Sequence, residues 1–306
     1  MTATSTTYAG RVPFGRTENP RRTLLFLLGP CVLYLLAFSI YPLIYSLRLS
    51  FTDMDAAGGG GDWVGLQNYA TLLTDPQFWN ATRNSAVMVL AAVTIQIVAG
   101  VGLALFFNLH LTGSWIVRGI LMLPMLMTPI VVGLMWRALL NPDWGLVDWA
   151  IESVGLNPPD WLGSVGMAML TLVLVDCWQW TPFVLLIVFA RLQALPQDVF
   201  EAARVDGAGP FVIFRRITLP MLMPAIVFAG VFRAVDAFRS FDLVFGLSYG
   251  GPARGTTTLA FFAFQHGFQF QNYGYAAAVA YAMLIILTIG TFFILRHLRI
   301  QPADRA

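Results

Sequence analysis

The 306-residue chain contains no lysine, only two cysteines and few charged residues of any kind. Charged side chains make up 11% of the residues and hydrophobic ones 58%, and the mean hydropathy is +0.70. Soluble domains usually carry about 25% charged residues, so this composition excludes an ordinary soluble domain and indicates a polytopic membrane protein. Cys31 and Cys177 lie in separate apolar runs. They provide neither a disulfide framework nor metal-ligand spacing.

Motifs for several kinds of catalysis are also missing from the sequence. It has no GxxxxGK[ST] phosphate loop, so the chain cannot hydrolyse ATP by itself. It has no HExxH pair and no nucleophile motif with a partnered base, and His110, His266 and His297 are far apart. The sequence therefore predicts a chain that is not an enzyme and has no metal site and no cofactor of its own. We also expect no nucleic-acid partner.

Six apolar runs are long enough to cross a bilayer, whose core needs about 20 residues per helix. The runs are Leu24–Leu47, Ala86–Leu109, Ile116–Leu140, Val165–Ala190, Leu219–Phe241 and Tyr275–Leu295. The sequence therefore predicts an all-α integral membrane protein with six transmembrane helices. Prolines inside these runs are expected to kink the helices without ending them.

The arginines divide the chain by side of the membrane. They cluster before the first run, after the last run and in residues 191–216, whereas the first and third connections are acidic. The positive-inside rule therefore places both termini and the segment around Glu201 in the cytoplasm. We expect a cytoplasmic tail over residues 1–22, a membrane domain over 23–296 and a second cytoplasmic tail over 297–306. The first run is too long for a signal-peptide core, so we interpret it as a retained helix.

Residues 191–218, called the coupling loop below, form a charged connection between the fourth and fifth runs. Pro196 suits the first turn of a helix and Gly207 suits its end, and Pro210 can begin a second short helix. Apolar residues on two such helices could fill a groove on a partner protein. Alternatively, the loop could lie on lipid headgroups as an amphipathic segment. Periodicity alone does not choose between the two interpretations.

The residues of this loop carry a resemblance to a known family. Glu201-Ala-Ala203, Gly207 and Ile217-Thr-Leu-Pro220 match the EAA loop of binding-protein-dependent ABC importer permeases. Val64-Gly-Leu-Gln-Asn-Tyr69 and Gly250-Gly-Pro252 are similar to segments of the carbohydrate branch of that family. The chain therefore resembles the larger permease subunit of importers of the maltose, trehalose and glycerol-phosphate type, over roughly residues 24–296.

The resemblance implies a set of partners for a chain in the cytoplasmic (inner) membrane. A cytoplasmic ABC ATPase dimer, which binds ATP and Mg, would hold the coupling loop. A second homologous permease would enclose the pathway, an extracytoplasmic sugar-binding protein would deliver the substrate, and lipid would surround the helices. The residues implied in ATPase coupling are Glu201, Ala202, Ala203, Asp206, Gly207 and Pro210.

Two charged residues lie deep in predicted membrane helices. A charge at the bilayer centre costs on the order of 2.5–3.5 kcal/mol, so such residues are expected to face a cavity or a partner. Asp176 and Arg233 both lie roughly 21–22 Å from the cytoplasmic ends of their helices, at 1.5 Å per residue. Equal depth allows the two side chains to line one cavity.

Helical spacing places further polar and aromatic residues beside these two charges. One face of the fourth run carries Asp176, Gln179, Trp180 and Phe183, and one face of the fifth carries Arg233, Asp236, Ala237 and Ser240. An aromatic ring beside carboxylate, amide and guanidinium groups has the chemistry of a sugar site. The resemblance implies that equivalent residues surround bound sugar in maltose-type importers, although this chain is more charged there. The alternative is structural pairing, of Arg233 with Asp236 and of Arg239 with Asp242.

The sequence thus predicts a permease subunit of an ATP-driven importer that translocates a mono- or disaccharide or a polyol. An anionic sugar derivative or glycerol phosphate is the alternative cargo, since Arg233 and Arg239 could bind an anion. Two other classes remain open from the residues. One is an ion-coupled secondary transporter with Asp176 as the cation site, against which the EAA loop argues. The other is an intramembrane enzyme, for which Asp176 and Arg233 are too sparse.

Overall fold

The computed structural model describes residues 20–55, 61–109 and 113–297, and within these ranges the chain forms helices and no β-strand. The α-helices are α1 Pro20–Leu35, α2 Tyr41–Leu49, α3 Gln67–Thr74, α4 Pro76–Phe107, α5 Ser114–Met122, α6 Pro129–Leu139, α7 Leu146–Ser153, α8 Val165–Gln193, α9 Gln197–Val205, α10 Pro210–Ile213, α11 Leu219–Phe238, α12 Asp242–Leu247, α13 Leu259–Phe264 and α14 Tyr273–His297. Short π-helical turns join α1 to α2 and α10 to α11.

The first unit of the chain comprises the described residues up to Arg48. Its α1 and α2 are continuous through a π-turn at Leu36–Ile40, and Leu27–Leu49 is long and apolar enough to span a membrane. Pro42 lies just after that turn. Because proline lacks an N–H, it removes a helical hydrogen bond, and the wider turn accommodates the loss. Nearly all the described side chains of this unit are exposed.

Five described helical stretches could cross a membrane, and the count is six if a bent pair forms one span. Besides Leu27–Leu49, these stretches are Pro76–Phe107, Val165–Gln193, Pro210–Phe238 and Tyr273–Arg296. The bent pair, Ser114–Leu126 with Pro129–Leu139, turns by 100°. The helix therefore ends before Pro129, and the expectation that prolines would kink this run without ending the helix is wrong here. Met127 and Thr128 are both extended, and Thr128 is so because a residue that precedes proline avoids the helical conformation.

The second span begins at Pro76, ten residues before the predicted start at Ala86. Asp75 caps the helix by accepting a hydrogen bond from the Gln77 backbone N–H (2.8 Å). The extra turns are polar, which is why their sequence indicates a loop. Asn84 donates to the backbone carbonyls of Arg254 (3.0 Å) and Thr257 (3.1 Å). The polar start of α4 thus anchors the loop that leads into α13.

The fifth span extends without interruption from Pro210 to Phe238, whereas the sequence predicts a separate short helix and a span from Leu219 to Phe241. A π-turn at Phe214–Thr218 bridges α10 and α11 and ends two residues before Pro220. At the other end, Arg239 caps α11, and α12 begins at Asp242. The predicted intrahelical pair of Arg239 with Asp242 is therefore wrong, and these two described side chains form no ion pair.

Helix α8 lies at the centre of the second unit, where it contacts α4 and α11. Gly100 in α4 lets α8 approach closely, since a Cβ there would lie 2.7 Å from the Val184 Cβ. Helices α6 and α12 also pack at backbone distance. A Cβ on Gly133 would lie 2.9 Å from the Leu247 nitrogen, and one on Gly246 would lie 2.7 Å from the Ile130 carbonyl oxygen. These contacts hold the bent pair and the α11–α12 break beside α8.

Candidate functional site

A buried arginine lies at the centre of the site. Arg233 in α11 has 0% relative exposure. Its Nη2 donates to Asp176 Oδ2 at 2.8 Å, its Nη1 donates to Asp236 Oδ2, and its Nε donates to Gln96 Oε1 at 2.9 Å. The guanidinium carbon lies 4.7 Å from the centre of the Trp180 ring, which is a cation–π contact. All three nitrogens of the guanidinium are therefore engaged.

Gln96 ties the two charged helices to a third helix, α4. Its Nε2 donates to Asp176 Oδ2 (2.7 Å) and to the Asp176 carbonyl oxygen (3.2 Å), while its Oε1 accepts from Arg233. Gln96 is fully buried. The sequence analysis missed this residue, although a long polar side chain in the middle of an apolar run is a usable signal, because such a group needs a partner in the membrane.

A cavity of about 160 Å³ lies beside this charged cluster. We call it the polar cavity; its lining residues are Pro129, Asp176, Gln179, Trp180, Asp236, Ala237, Arg239, Ser240, Phe241, Asp242 and Leu243. Six of these belong to the eight pathway residues predicted from sequence: Asp176, Gln179, Trp180, Asp236, Ala237 and Ser240. The other two lie outside the lining. Arg233 is paired within the helix bundle, and Phe183 stacks on Phe232 with ring centres 4.9 Å apart.

The remaining lining residues were not predicted to line the pathway, although Arg239 was named as a possible anion-binding group for the alternative cargo. Pro129 begins α6 after the bend, and the other four follow the end of α11, where the chain turns into α12. The sequence suggested continuous helices at both places, so nothing marked these positions as facing one cavity. Both helix breaks meet at the polar cavity, as is common for membrane sites in which irregular backbone lines a cavity.

Gln179 connects the cavity to the bend of α5–α6. Its Nε2 donates to the Met127 carbonyl oxygen at 2.9 Å, which fixes the orientation of the amide, since only the NH₂ group can donate to a carbonyl. Its Oε1 is buried and has no hydrogen-bond partner among the described residues. The cavity wall therefore contains an acceptor whose hydrogen bond is unmade, a state that costs about 1–3 kcal/mol when buried.

The predicted coupling residues lie on and after α9. Helix α9 ends in a Schellman motif: the Gly207 N–H donates to the Arg204 carbonyl (3.0 Å), the Ala208 N–H donates to the Ala203 carbonyl (2.9 Å), and Gly207 has φ +77°. Five of the six predicted coupling residues are exposed: Glu201, Ala202, Asp206, Gly207 and Pro210. The sixth, Ala203, is buried at 9% exposure.

Apolar side chains of the coupling loop divide into packed and exposed ones. Phe200 packs against a cluster formed by residues of α4, α8 and α11, and this contact holds α9 on the bundle. By contrast, Val205 and Phe211 have 88% and 70% of their surface exposed. The loop therefore presents a rigid, partly apolar surface next to exposed charged groups. In the described part of the chain, no cluster of three or more potential ligands could hold a metal ion.

Comparisons with known proteins agree on one family. The family model described as "Binding-protein-dependent transport system inner membrane component" matches residues 96–300. The probable ABC transporter permease protein y4oQ of Sinorhizobium fredii is 34% identical over 309 residues, with 100% of both chains covered. The trehalose/maltose transport system permease protein MalF of Thermococcus litoralis is 32% identical over 267 residues, covering 87% of this chain and 90% of that protein.

A solved structure shows the same fold. It is a crystal structure of a bacterial ABC transporter involved in the import of the acidic polysaccharide alginate. One of its chains matches with a TM-score of 0.80 and 22% identity, over 91% of this chain and 96% of that chain. At this level of identity the likeness concerns the arrangement of the helices alone.

Proposed function

Because the chain belongs to the family of binding-protein-dependent transport system inner membrane components, we propose that its polar cavity forms part of the pathway for a sugar, either a mono- or disaccharide or a polyol. Membership of this family makes the chain a transport subunit, an ABC importer permease, rather than an enzyme. ATP hydrolysis therefore takes place on a separate ATPase, and an ion-coupled secondary transporter is not the mechanism.

The observation that carries this proposal is the polar cavity beside the buried cluster of Arg233, Asp176 and Gln96. Charged groups at membrane depth are costly and usually mark a substrate path. The half-buried ring of Trp180 offers an apolar face, and the carboxylate and amide groups around it accept hydrogen bonds from hydroxyls. A trehalose/maltose permease among the relatives agrees with this chemistry.

The size of the cavity supports a shared pathway. Ligand sites usually measure about 300–1,000 Å³, whereas the polar cavity measures about 160 Å³. One chain therefore supplies one wall, and a second homologous permease supplies the other. An extracytoplasmic sugar-binding protein delivers the substrate from the end of α8 opposite to α9.

The coupling loop is the proposed contact with a cytoplasmic ATPase dimer, which binds ATP and Mg. Glu201, Asp206 and Gly207 are exposed there, and the packing of Phe200 ties α9 to a cluster that includes residues of α8 and α11. A force applied to the exposed side of α9 therefore reaches the two helices that line the polar cavity. The helix break at Gly207 separates α9 from the long helix that begins at Pro210.

The chain lies in the cytoplasmic membrane, surrounded by lipid, with both termini in the cytoplasm. The proposed division remains a tail over residues 1–22, a membrane domain over 23–296 and a tail over 297–306. Helix α1 begins at Pro20, so the first boundary falls within its first turn. Residues 1–19 and 298–306 lie outside the described part of the chain.

A second candidate cargo is an anionic sugar derivative or glycerol phosphate. The observation in its favour is Arg239, which lines the polar cavity with an exposed side chain and forms no ion pair among the described residues. An anion could bind to this guanidinium.

The test uses the complete transporter, assembled from this chain and the permease, ATPase and binding protein encoded beside it, and reconstituted in vesicles. Trp180→Ala should reduce sugar uptake at least about tenfold, since loss of a stacking contact worth 1.4 kcal/mol is a tenfold effect, and it should leave basal ATP hydrolysis unchanged. Glu201→Arg should abolish the stimulation of ATP hydrolysis by the loaded binding protein. The control Glu152→Arg makes the same charge change at an exposed site in α7.

Normal uptake by both the Trp180 and the Glu201 variants would refute the proposed pathway and the proposed coupling. Equal loss of stimulation in the Glu152→Arg control would attribute the effect of Glu201→Arg to its charge alone. Normal uptake by the Trp180 variant would require another function for the polar cavity.

A further inference from the structure

We propose that the polar cavity admits neutral and cationic ligands that donate hydrogen bonds and rejects anions, so that the cargo is a neutral sugar or polyol, or an amino sugar. This inference rests on the proposed function, and it decides between its two candidate cargoes. It follows from which groups of the cavity wall remain available to a ligand and from the sign of their charge.

The only fully buried cation among the described residues of the site is not available to an anion. Each nitrogen of Arg233 already donates, to Gln96, Asp236 and Asp176. The face of the guanidinium carries the Trp180 ring, and the residue has no exposed surface. An anionic cargo bound at Arg233 would have to displace a carboxylate from it, and that would leave a buried carboxylate without its partner.

Asp236 and Asp242 are the acceptors with exposed surface in the cavity wall, Arg239 is its one exposed cation, and Gln179 adds a buried acceptor. Gln179 is fully buried and lines the cavity, and its Oε1 has no partner in the described part of the chain. Its orientation is fixed by the hydrogen bond from Nε2 to Met127, so the acceptor cannot be exchanged for the NH₂ group. Asp236 has 45% of its side chain exposed, and Asp242 lines the same cavity with an exposed side chain. Carboxylate and amide oxygens accept hydrogen bonds from hydroxyls and ammonium groups, and they repel anions.

The charge of the site is negative. Three carboxylates (Asp176, Asp236 and Asp242) stand against two guanidiniums (Arg233 and Arg239), which leaves one net negative charge. Asp176 and Arg233 form a buried ion pair, with 2.8 Å between Oδ2 and Nη2, so the two residues contribute no net charge to the site. Arg239 is the one cation that lines the cavity, and Asp242 lines it three residues further along the chain. Neutral hydroxyls meet no such electrostatic barrier.

The experiment measures the potential inside the cavity without knowledge of the cargo. Ser240 lines the cavity and is half-buried, so Ser240→Cys places a thiol at the proposed ligand position. The native cysteines are replaced by Cys31→Ser and Cys177→Ser. In the detergent-solubilised complex, the thiol is reacted with methanethiosulfonates of similar size that carry a trimethylammonium, a hydroxyl or a sulfonate group. Each rate is divided by the rate with free 2-mercaptoethanol.

The cationic and the neutral reagents should both react faster than the anionic one. The normalised ratio of the cationic rate to the anionic rate should be about ten or more, because one net negative charge within several ångströms attracts the cation and repels the anion. Asp242→Asn should lower this ratio and Arg239→Gln should raise it. Neither change should alter the ratio at a control thiol introduced by Ser153→Cys, at an exposed position in α7.

The possible failures are distinct. A ratio near one, or a faster reaction with the sulfonate, would overturn the charge preference and leave a sugar permease with anionic cargo. A thiol that none of the three reagents reaches would instead refute the polar cavity as a ligand site, and with it this part of the proposed function.

Discussion

Gln96 is a single uncharged side chain that bonds to two opposite charges at the centre of the helix bundle. It donates to Asp176 and accepts from Arg233, and all three residues are buried. An amide suits this position because it offers a donor and an acceptor at once, whereas a carboxylate offers no donor and an aliphatic group offers neither. The residue thus fixes the separation of α4, α8 and α11 behind the polar cavity.

Gln96→Leu should therefore destabilise the protein. The Arg233 Nε–H and one lone pair of Asp176 would remain buried without this partner, and each unmade hydrogen bond costs about 1–3 kcal/mol. The measurement is the thermal unfolding midpoint of the purified protein in detergent. The control Thr94→Leu makes a similar polar-to-apolar change two residues away, at an exposed site of the same helix, and should leave the midpoint almost unchanged. Equal midpoints for both variants would mean that the network contributes little.

At the scale of helices, the site depends on the close contact between two short helices, α6 and α12. Helix α6 follows the 100° bend, and its first residue, Pro129, lines the polar cavity. Helix α12 follows the end of α11, and its first two residues, Asp242 and Leu243, line the same cavity. Gly133 and Gly246 allow the two backbones to touch. Small residues are the usual means of such packing in membranes, where the approach of backbones replaces the hydrophobic effect.

Gly133→Ala should separate these helices. The new Cβ would lie 2.9 Å from the Leu247 nitrogen and 3.0 Å from the Leu243 carbonyl oxygen, and backbone atoms cannot move aside as a side chain can. Overpacking of this kind costs about 1–3 kcal/mol, so the unfolding midpoint should fall and the accessibility of a thiol at position 240 should change. Gly119→Ala in α5 is the matched control, since nothing lies within 4 Å of the added atom. A lower midpoint for Gly119→Ala alone would contradict this account.

At the scale of the whole molecule, the coupling loop and the loops after α6 and α11 lie at opposite ends of the bundle. The arginine-rich end contains Glu201, and the acidic connections contain Glu152 and Asp160. The positive-inside rule then predicts that Glu201 lies on the cytoplasmic side of the membrane and that Glu152 and Asp160 lie on the opposite side.

Single cysteines test this orientation in intact cells. With Cys31 and Cys177 replaced by serine, Glu152→Cys should react with a membrane-impermeant maleimide added outside. Glu201→Cys should react only after the membrane is permeabilised. Both positions are exposed, so burial does not account for a difference. Reaction of Glu201→Cys from outside would place the coupling loop on the wrong side for a cytoplasmic ATPase.

Much of this architecture follows from local sequence. Apolar runs of sufficient length identify the spans Val165–Gln193 and Tyr273–Arg296 to within a few residues, because burial in lipid demands an unbroken stretch of apolar residues. Gly207 marks the end of α9, since a left-handed φ favours glycine. The helical period also placed Asp176, Gln179 and Trp180 on one face, and all three line the polar cavity.

Other features depend on contacts between distant parts of the chain. The polar turns of residues 76–85 are helical because Asn84 bonds to a loop about 170 residues further on. Pro129 and Asp242 reach one cavity because two helix breaks meet there, and Gln96 pairs with Arg233 across the bundle.

By itself, the sequence determined that this protein is a membrane-spanning helical permease with a charged loop that carries the Glu201-Ala-Ala203 motif, because hydropathy, charge bias and this motif are local properties of the chain. Only the tertiary structure decided which charges neutralise each other and which remain free in the polar cavity. A guanidinium in apolar surroundings needs partners among the side chains that packing brings near it. The residues next to Arg233 in the sequence do not reveal that Gln96 and Asp176 are these partners.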